Sequence, residues 1–389
     1  WFFLQLDRTG IALLGGIAML ALGCLTLPQA VDSVNMQSIL LLFALMVIAS
    51  QLHYAGFYGW VTHRVLRPLL DRPAIFLGVL IALGGLLSAF LNNDVVVLAV
   101  APIIASALLK KRINPVPFLI ALALSSNIGC ALTLIGNAQN VLVGEMGKIP
   151  FGGYMLFAAL PVVLSLLVCY GVVYFLGRKS FALPPDEAAL PVPVDEMPFN
   201  RWRTVKGVGV LVILIALFVF TGLPRYLVAM TGAGLLLCSH MLPSRNVLNK
   251  VNWQLLVLFI GLFVVFGAFV DSGLSRDMLA FFTSHGINVN NPVQLAVISG
   301  VLSNCINNSA TVMLLVKVVD LTNPMNCYAL ALSNAFAGNL IIVGSLANII
   351  VVQCAESFKL KISFVEFFKY GAPVAVASML ILVGWLLIF

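Results

Sequence analysis

The sequence predicts an all-α polytopic membrane protein made of two inverted-topology repeats, each with a hairpin and an interrupted helix. Three observations lead there. Of 389 residues, 61% are apolar and only 9% carry a charge, against roughly a quarter charged in a soluble domain. Apolar runs at 11–27, 76–91, 207–220 and 374–389 approach the roughly 20 residues that cross a hydrocarbon core. The chain also matches itself, in order, when slid by about 210 positions. Gln37 and Gly56 fall on Gln254 and Gly273, Ser88 on Ser303, and Asn92-Asn93 on Asn307-Asn308. Gly136 and Asn140 fall on Gly344 and Asn348, and Ile149-Pro150-Phe151 on Ile362-Ser363-Phe364.

Each repeat reads as two spans, 11–27 and 38–54 in the first copy, followed by a pair of apolar arms flanking Asn92-Asn93. A helix interrupted near Gly136 and a last span at 154–176 complete it. The two arms add an even number of crossings, so a repeat starts and ends on one side of the membrane. The segment 181–200, with Pro184-Pro185, Pro191 and Pro193 among four acids, is too polar to span and reads as a linker. One further helix at 207–223 then inverts the second copy. The divisions are a first repeat at 10–180, a linker and connecting helix at 181–226, and a second repeat at 227–389. On this topology all but Lys148, Arg225, Arg276 and Lys317 of the 21 lysines and arginines face one side, which the positive-inside rule makes cytoplasmic. The N-terminus is therefore expected in the cytoplasm and the C-terminus outside, in a multi-pass inner (plasma) membrane protein. The first residue is Trp1, which points to a trimmed start, and the opening stretch has no signal-peptide cleavage pattern.

The net charge of +7 belongs to short loops and reports orientation, so no nucleic-acid partner is expected. Seven cysteines in apolar context without paired spacing indicate neither a disulfide framework nor a zinc site. No P-loop, His-Glu metal motif or nucleophile elbow occurs, so no catalytic residue, metal or cofactor is expected. Energy must come from an ion gradient or from a peripheral ATPase subunit.

Polar residues inside apolar runs mark where a cavity belongs, because inverted repeats with interrupted helices place their sites near the midplane. Four clusters qualify: the tips at 88–94 and 303–311 and the breaks at 125–140 and 333–348. Asparagine is a poor helix former and its amide needs partners in hydrocarbon. The expected substrate-binding residues are Asn92, Asn93, Asn127, Asn137, Asn140, Asn307, Asn308, Ser309, Thr311, Asn334, Ser345 and Asn348. The competing structural reading is that these groups only bond neighbouring helices. Asp94, an ionisable group in an apolar stretch, is the expected ion-coupling residue, with the proton as coupling ion and sodium the alternative. Its symmetry mate is Ser309; the structural alternative pairs it with a cation such as Lys317. Glu145 and Lys148 read as interfacial, and Cys130 and Cys305 fall inside the site segments.

With these residues in hand, the chain resembles the ion transporter superfamily of arsenical-pump membrane proteins, NhaD-type sodium/proton antiporters and divalent-anion symporters. Asn307-Asn308-Ser309-Ala310-Thr311 resembles the Ser-Asn-Thr tip of the symporters, with Asn for the first Ser. Leu134 to Asn140 and Gly344 to Asn348 resemble the Gly-x-x-x-Asn break segment. Asn93-Asp94 and Gly344 to Ala347 are closer to the arsenite permease branch. The resemblance implies an elevator-like or rocking carrier in the lipid bilayer, often a homodimer, moving anions or metalloid oxyacids against protons or sodium. A neutral metalloid hydroxide, exported as arsenite or antimonite, suits a site of amides and hydroxyls without Arg or Lys. A carboxylate, sulfate or another small oxyanion is the alternative cargo, held by half-helix N-termini.

Overall fold

The computed structural model describes residues 7–181, 197–238 and 243–389, so most of the 181–200 linker lies outside the described residues. Regular structure among the described residues is entirely helical, and seven of these helices are long and apolar enough to cross a membrane. The first half runs α1 (Arg8–Ala21), α2 (Leu27–Ser33), α3 (Met36–Tyr54), α4 (Phe57–Val61), α5 (Pro73–Phe90), α6 (Asn93–Lys110), α7 (Val116–Cys130), α8 (Ala138–Met146) and α9 (Phe151–Gly177). A connecting helix, α10 (Arg201–Phe220), follows. The second half runs α11 (Arg225–Leu237), α12 (Ser244–Asn249), α13 (Trp253–Asp271), α14 (Leu274–Ser284), α15 (Pro292–Ile306), α16 (Asn308–Leu315), α17 (Pro324–Ala337), α18 (Leu346–Ser357) and α19 (Phe364–Leu386).

The same local chemistry builds the same element in each half. Asn35 and Asn252 cap α3 and α13, their side chains accepting from Ser38 and Leu255 backbone N–H groups at 2.8 and 3.1 Å. Both helices end in a left-handed glycine, Gly56 at φ +70° and Gly273 at φ +83°, a conformation that costs any residue with a Cβ. Gly56 has a second reason to be glycine: a Cβ there would meet the Met197 and Pro198 carbonyl oxygens at 2.7 and 2.8 Å. The end of the linker is folded over this corner, with Asn200 N–H donating to Ala55 O at 2.9 Å and Phe199 stacked on Trp60.

Three boundaries differ from the sequence reading. The span expected at 11–27 stops at Ala21, because Gly23 turns left-handed (φ +70°) and a Thr26–Gln29 capping box starts α2 afresh. The connecting helix begins at Arg201 rather than 207, since Asn200 accepts from the Arg203 N–H at 3.0 Å. The two hairpins are also unequal: α5 and α6 have 18 residues each, whereas α15 has 15 and α16 only 8. The base of the longer hairpin is closed by a Lys111–Asp71 ion pair at 2.8 Å.

Packing ties the halves together reciprocally. The first arm of each hairpin lies on the helix that precedes the break in its own half, α5 on α7 and α15 on α17. At Gly129 of α7 the backbone of Gly85 on α5 comes so close that there is no room for a Cβ. Across the halves, α1 packs on α13 and α11 on α3, while α8 lies on α16 and α17 and α18 lies on α6 and α7. The long helices α9 and α19 run together, with Trp385 Nε1 donating to Phe157 O at 3.2 Å. Every residue of α7 is buried, including Ser125, Ser126 and Asn127. Their polar groups must therefore be satisfied inside the protein.

Candidate functional site

Each hairpin tip is a helix N-terminus capped by its own asparagine. The Asn92 side chain accepts from the Asp94 N–H at 3.0 Å, and Asn307 accepts from the Ser309 N–H at 3.2 Å. Each break ends in the same way: Asn137 accepts from the Asn140 N–H at 2.7 Å, and Ser345 Oγ accepts from the Ala347 N–H at 3.3 Å. The tip of the first hairpin is seated on the first break by the Asn93 N–H, which donates to Gly136 O at 3.1 Å, and by the Thr133 hydroxyl, which donates to Ala89 O.

These four N-termini open on one cavity of about 550 Å³. Asn93 and Asp94 of α6, Asn308 and Ser309 of α16, Ala138 and Gln139 of α8 and Leu346 of α18 line it, with the caps Asn137, Asn307 and Ser345. The size falls within the roughly 300–1,000 Å³ typical of small-molecule sites. Asp94 is half-buried, and Gln139 Nε2 donates to Ser309 Oγ at 2.8 Å on the opposite wall. Asn308 Oδ1 is buried with no protein partner, an acceptor left for something in the cavity. Asp94 has no ion pair with Lys317, whose charge interacts instead with Asp271.

Asn127 organises the centre. Its Nδ2 donates to Asn339 Oδ1 at 3.0 Å and Asn348 Oδ1 at 2.9 Å, and its Oδ1 accepts from Asn93 Nδ2 at 3.3 Å and Ser345 Oγ at 2.8 Å. A side-chain amide has two donors and two acceptor sites, so this one is fully used, joining tip and break across the two halves.

Five expected binding residues do not line this cavity. Asn92 faces its own helix as a cap. Asn140 and Asn348 staple the breaks: Asn140 donates to Cys130 O and Thr133 O at 3.3 and 3.1 Å, and Asn348 to Gly338 O and Ile341 O at 2.8 and 3.0 Å. Asn334 donates to Ser303 Oγ and Asn308 O at 2.7 and 3.2 Å, holding the second tip. Thr311 is buried one turn into α16. For Asn140, Asn334 and Asn348 the reason is physical: backbone carbonyls at the tips and breaks in an apolar setting need donors, and the nearest amides are consumed in satisfying them.

Two arginines stand where the sequence reading did not put them. Arg8, counted among the cytoplasmic loop residues, lines the cavity and donates through Nη2 to Val343 O of the second break at 3.1 Å. The wall is therefore not free of cationic groups. Arg225 pairs through Nε with Glu145 at 2.7 Å, and the two side chains are only 14% and 7% exposed, so Glu145 is buried in an ion pair. Both contacts join residues far apart in sequence, and only the reappearance of an arginine at the head of each half, Arg8 and Arg225, could have hinted at them.

Residues 1–328 match the family described as citrate transporter, CitMHS. The chain belongs to the citrate transporter family. An uncharacterized transporter of Mycobacterium tuberculosis is 30% identical over 394 residues, covering 96% of this chain and 92% of its own length. A silicon efflux transporter of Oryza sativa subsp. japonica is 26% identical over 433 residues, covering 91% of this chain and 86% of its own length. Among solved structures, the Alcanivorax borkumensis YdaH transporter, reported for its unusual topology, aligns with a TM-score of 0.57 over 98% of this chain and 89% of that chain. At 16% identity that likeness is one of fold. Membership in the citrate transporter family makes the chain a multi-pass membrane transporter and not an enzyme.

Proposed function

We propose that this member of the citrate transporter family is an ion-coupled secondary transporter of a small anion, a carboxylate or an oxyanion. The observation that carries the reading is the convergence of four helix N-termini, those of α6, α8, α16 and α18, on one cavity. Each N-terminus carries about half a positive charge and unsatisfied N–H donors, so the cavity favours negative charge. Two inverted repeats, with the N-terminus cytoplasmic and the C-terminus outside, account for the matched elements and the charge asymmetry. Asp94, on the cavity wall, is the ion-coupling group, with the proton as coupling ion and sodium the alternative.

The test is uptake of radiolabelled citrate, succinate and sulfate by proteoliposomes containing this chain alone, under an imposed pH or sodium gradient. Accumulation of one of them above equilibrium supports the reading and makes a peripheral ATPase unnecessary. Gradient-independent leakage, or no flux of any anion, would sink it. A second reading, export of a neutral metalloid or silicon hydroxide, is favoured by the amide and hydroxyl groups of Asn93, Asn307, Asn308, Ser309 and Ser345 in the wall. It is tested in the same vesicles with arsenite and silicic acid.

A further inference from the structure

The two arginines that open the halves are counterparts. The displacement that sets Gln37 on Gln254 and Gly56 on Gly273 also sets Arg8 on Arg225. Each stands at the start of the first helix of its half, and each reaches into the other half. Arg225 donates to Gly144 O at 2.6 Å and Ile149 O at 3.2 Å while its Nε holds Glu145 at 2.7 Å. Arg8 donates to Val343 O at 3.1 Å. The displacement that sets Gly136 on Gly344 and Asn140 on Asn348 pairs Glu145 with Gln353. The position that carries the acid neutralising Arg225 thus carries an amide in the other half, while Arg8 itself reaches a different point, the break at Val343.

Gln353 and Arg8 both line the cavity onto which the four N-termini open. Among the described residues no carboxylate forms an ion pair with Arg8; that of Asp7 is committed to the Gly10 N–H at 2.7 Å. A guanidinium stays charged at any physiological pH and presents a fork that fits a carboxylate or oxyanion. Arg8 is half-buried on a wall that it shares with the Asp7 and Asp94 carboxylates, neither of which pairs with it, so its fork is open to an anion in the cavity.

We infer that Arg8 is the residue that selects anionic cargo, its guanidinium binding a carboxylate or oxyanion of the cargo from the cavity wall. The inference rests on the anion reading and narrows it to a cargo with at least one ionised group free to reach the N-terminus of α1. The four helix N-termini supply diffuse potential, and Arg8 supplies the directional contact.

The experiment uses the full chain in proteoliposomes, with citrate, succinate and sulfate as anionic probes and silicic acid as the neutral one. Arg8→Gln is expected to raise the half-saturating concentration of the transported anion about tenfold or more, with Arg8→Lys intermediate. Gln353→Glu, which leaves Arg8 in place and adds a carboxylate to the same cavity wall, is expected to act in the same direction by competing with the cargo anion for the guanidinium. Size-exclusion behaviour and thermal midpoint of each variant report folding, and Gln353→Glu carries the test alone if Arg8→Gln does not fold. If the wild type accumulates an anion and Gln353→Glu or a folded Arg8→Gln half-saturates at the wild-type concentration, Arg8 is not the selecting residue and the anion reading stands. If the wild type carries silicic acid and none of the anions, both fall together.

Discussion

The two hairpin tips share a backbone design and differ in chemistry. Asn92 and Asn307 cap their arms identically, yet the next two residues are Asn93-Asp94 in one and Asn308-Ser309 in the other. Asn307 sits at φ +93° where Asn92 is at −51°, so the second tip holds a non-glycine residue in a strained region and the first does not. The central amides diverge too. Asn127 sends three of its four hydrogen bonds across to the other half and one to Asn93 in its own, whereas its counterpart Asn334 bonds Ser303 and Asn308 of its own half. The two halves agree in where caps, breaks and glycine corners stand. The side chains at those places then divided the work.

Four comparisons can break or sharpen that division. The largest contrast is expected at the tips: Asp94→Asn abolishes gradient-coupled transport while Ser309→Ala retains it, with both variants folded as judged by size exclusion. Coupled flux in Asp94→Asn with the wild-type pH dependence would remove Asp94 from the mechanism. Next come the counterparts Glu145 and Gln353. Glu145→Ala strands a buried guanidinium and is expected to cost about 3–5 kcal/mol, whereas Gln353→Ala, an exposed position, should stay within about 0.5 kcal/mol. Thermal unfolding in detergent measures both, and equal losses would contradict the asymmetry.

Third, Asn127→Ala orphans partners on both halves, and each buried group left without a partner costs about 1–3 kcal/mol. Asn334→Ala orphans groups on one half only, so the smaller loss belongs to it; the reverse order would show that Asn127 is not the central tie. Last, Gly273→Ala pays about 1–2 kcal/mol for its left-handed conformation alone. Gly56→Ala adds the clash with the linker carbonyls and should lower the thermal midpoint further. Matching midpoints would mean that the linker yields freely at that corner.

Much of this arrangement was legible in the sequence, for physical reasons. Asn92, Asn137, Asn307 and Ser345 stand out as polar residues inside apolar runs, which the sequence marks as cavity positions without revealing that they are caps, and Gly56 and Gly273 stand out as a matched pair without revealing their left-handed corners. What stayed hidden depends on reach. No periodicity foretells that Asn140 and Asn348 spend their amides on freed carbonyls, that α16 stops after two turns, or that Arg225 finds Glu145 behind it. Arg8 misled for a related reason. The positive-inside rule treats a cation at a helix start as a loop residue, and this one instead reaches a break carbonyl 335 positions away.

The reciprocal packing of the first helices has a consequence for biosynthesis. α1 finds its seat on α13, with Thr9 Oγ1 donating to Gln254 O across 245 residues, and α3 must wait for α11. Contacts closed over such separations form late. A ribosome that has finished the first half has therefore made a piece with two exposed seats and no partner. The covalent connection through α10 makes the meeting of the two halves a single intramolecular event.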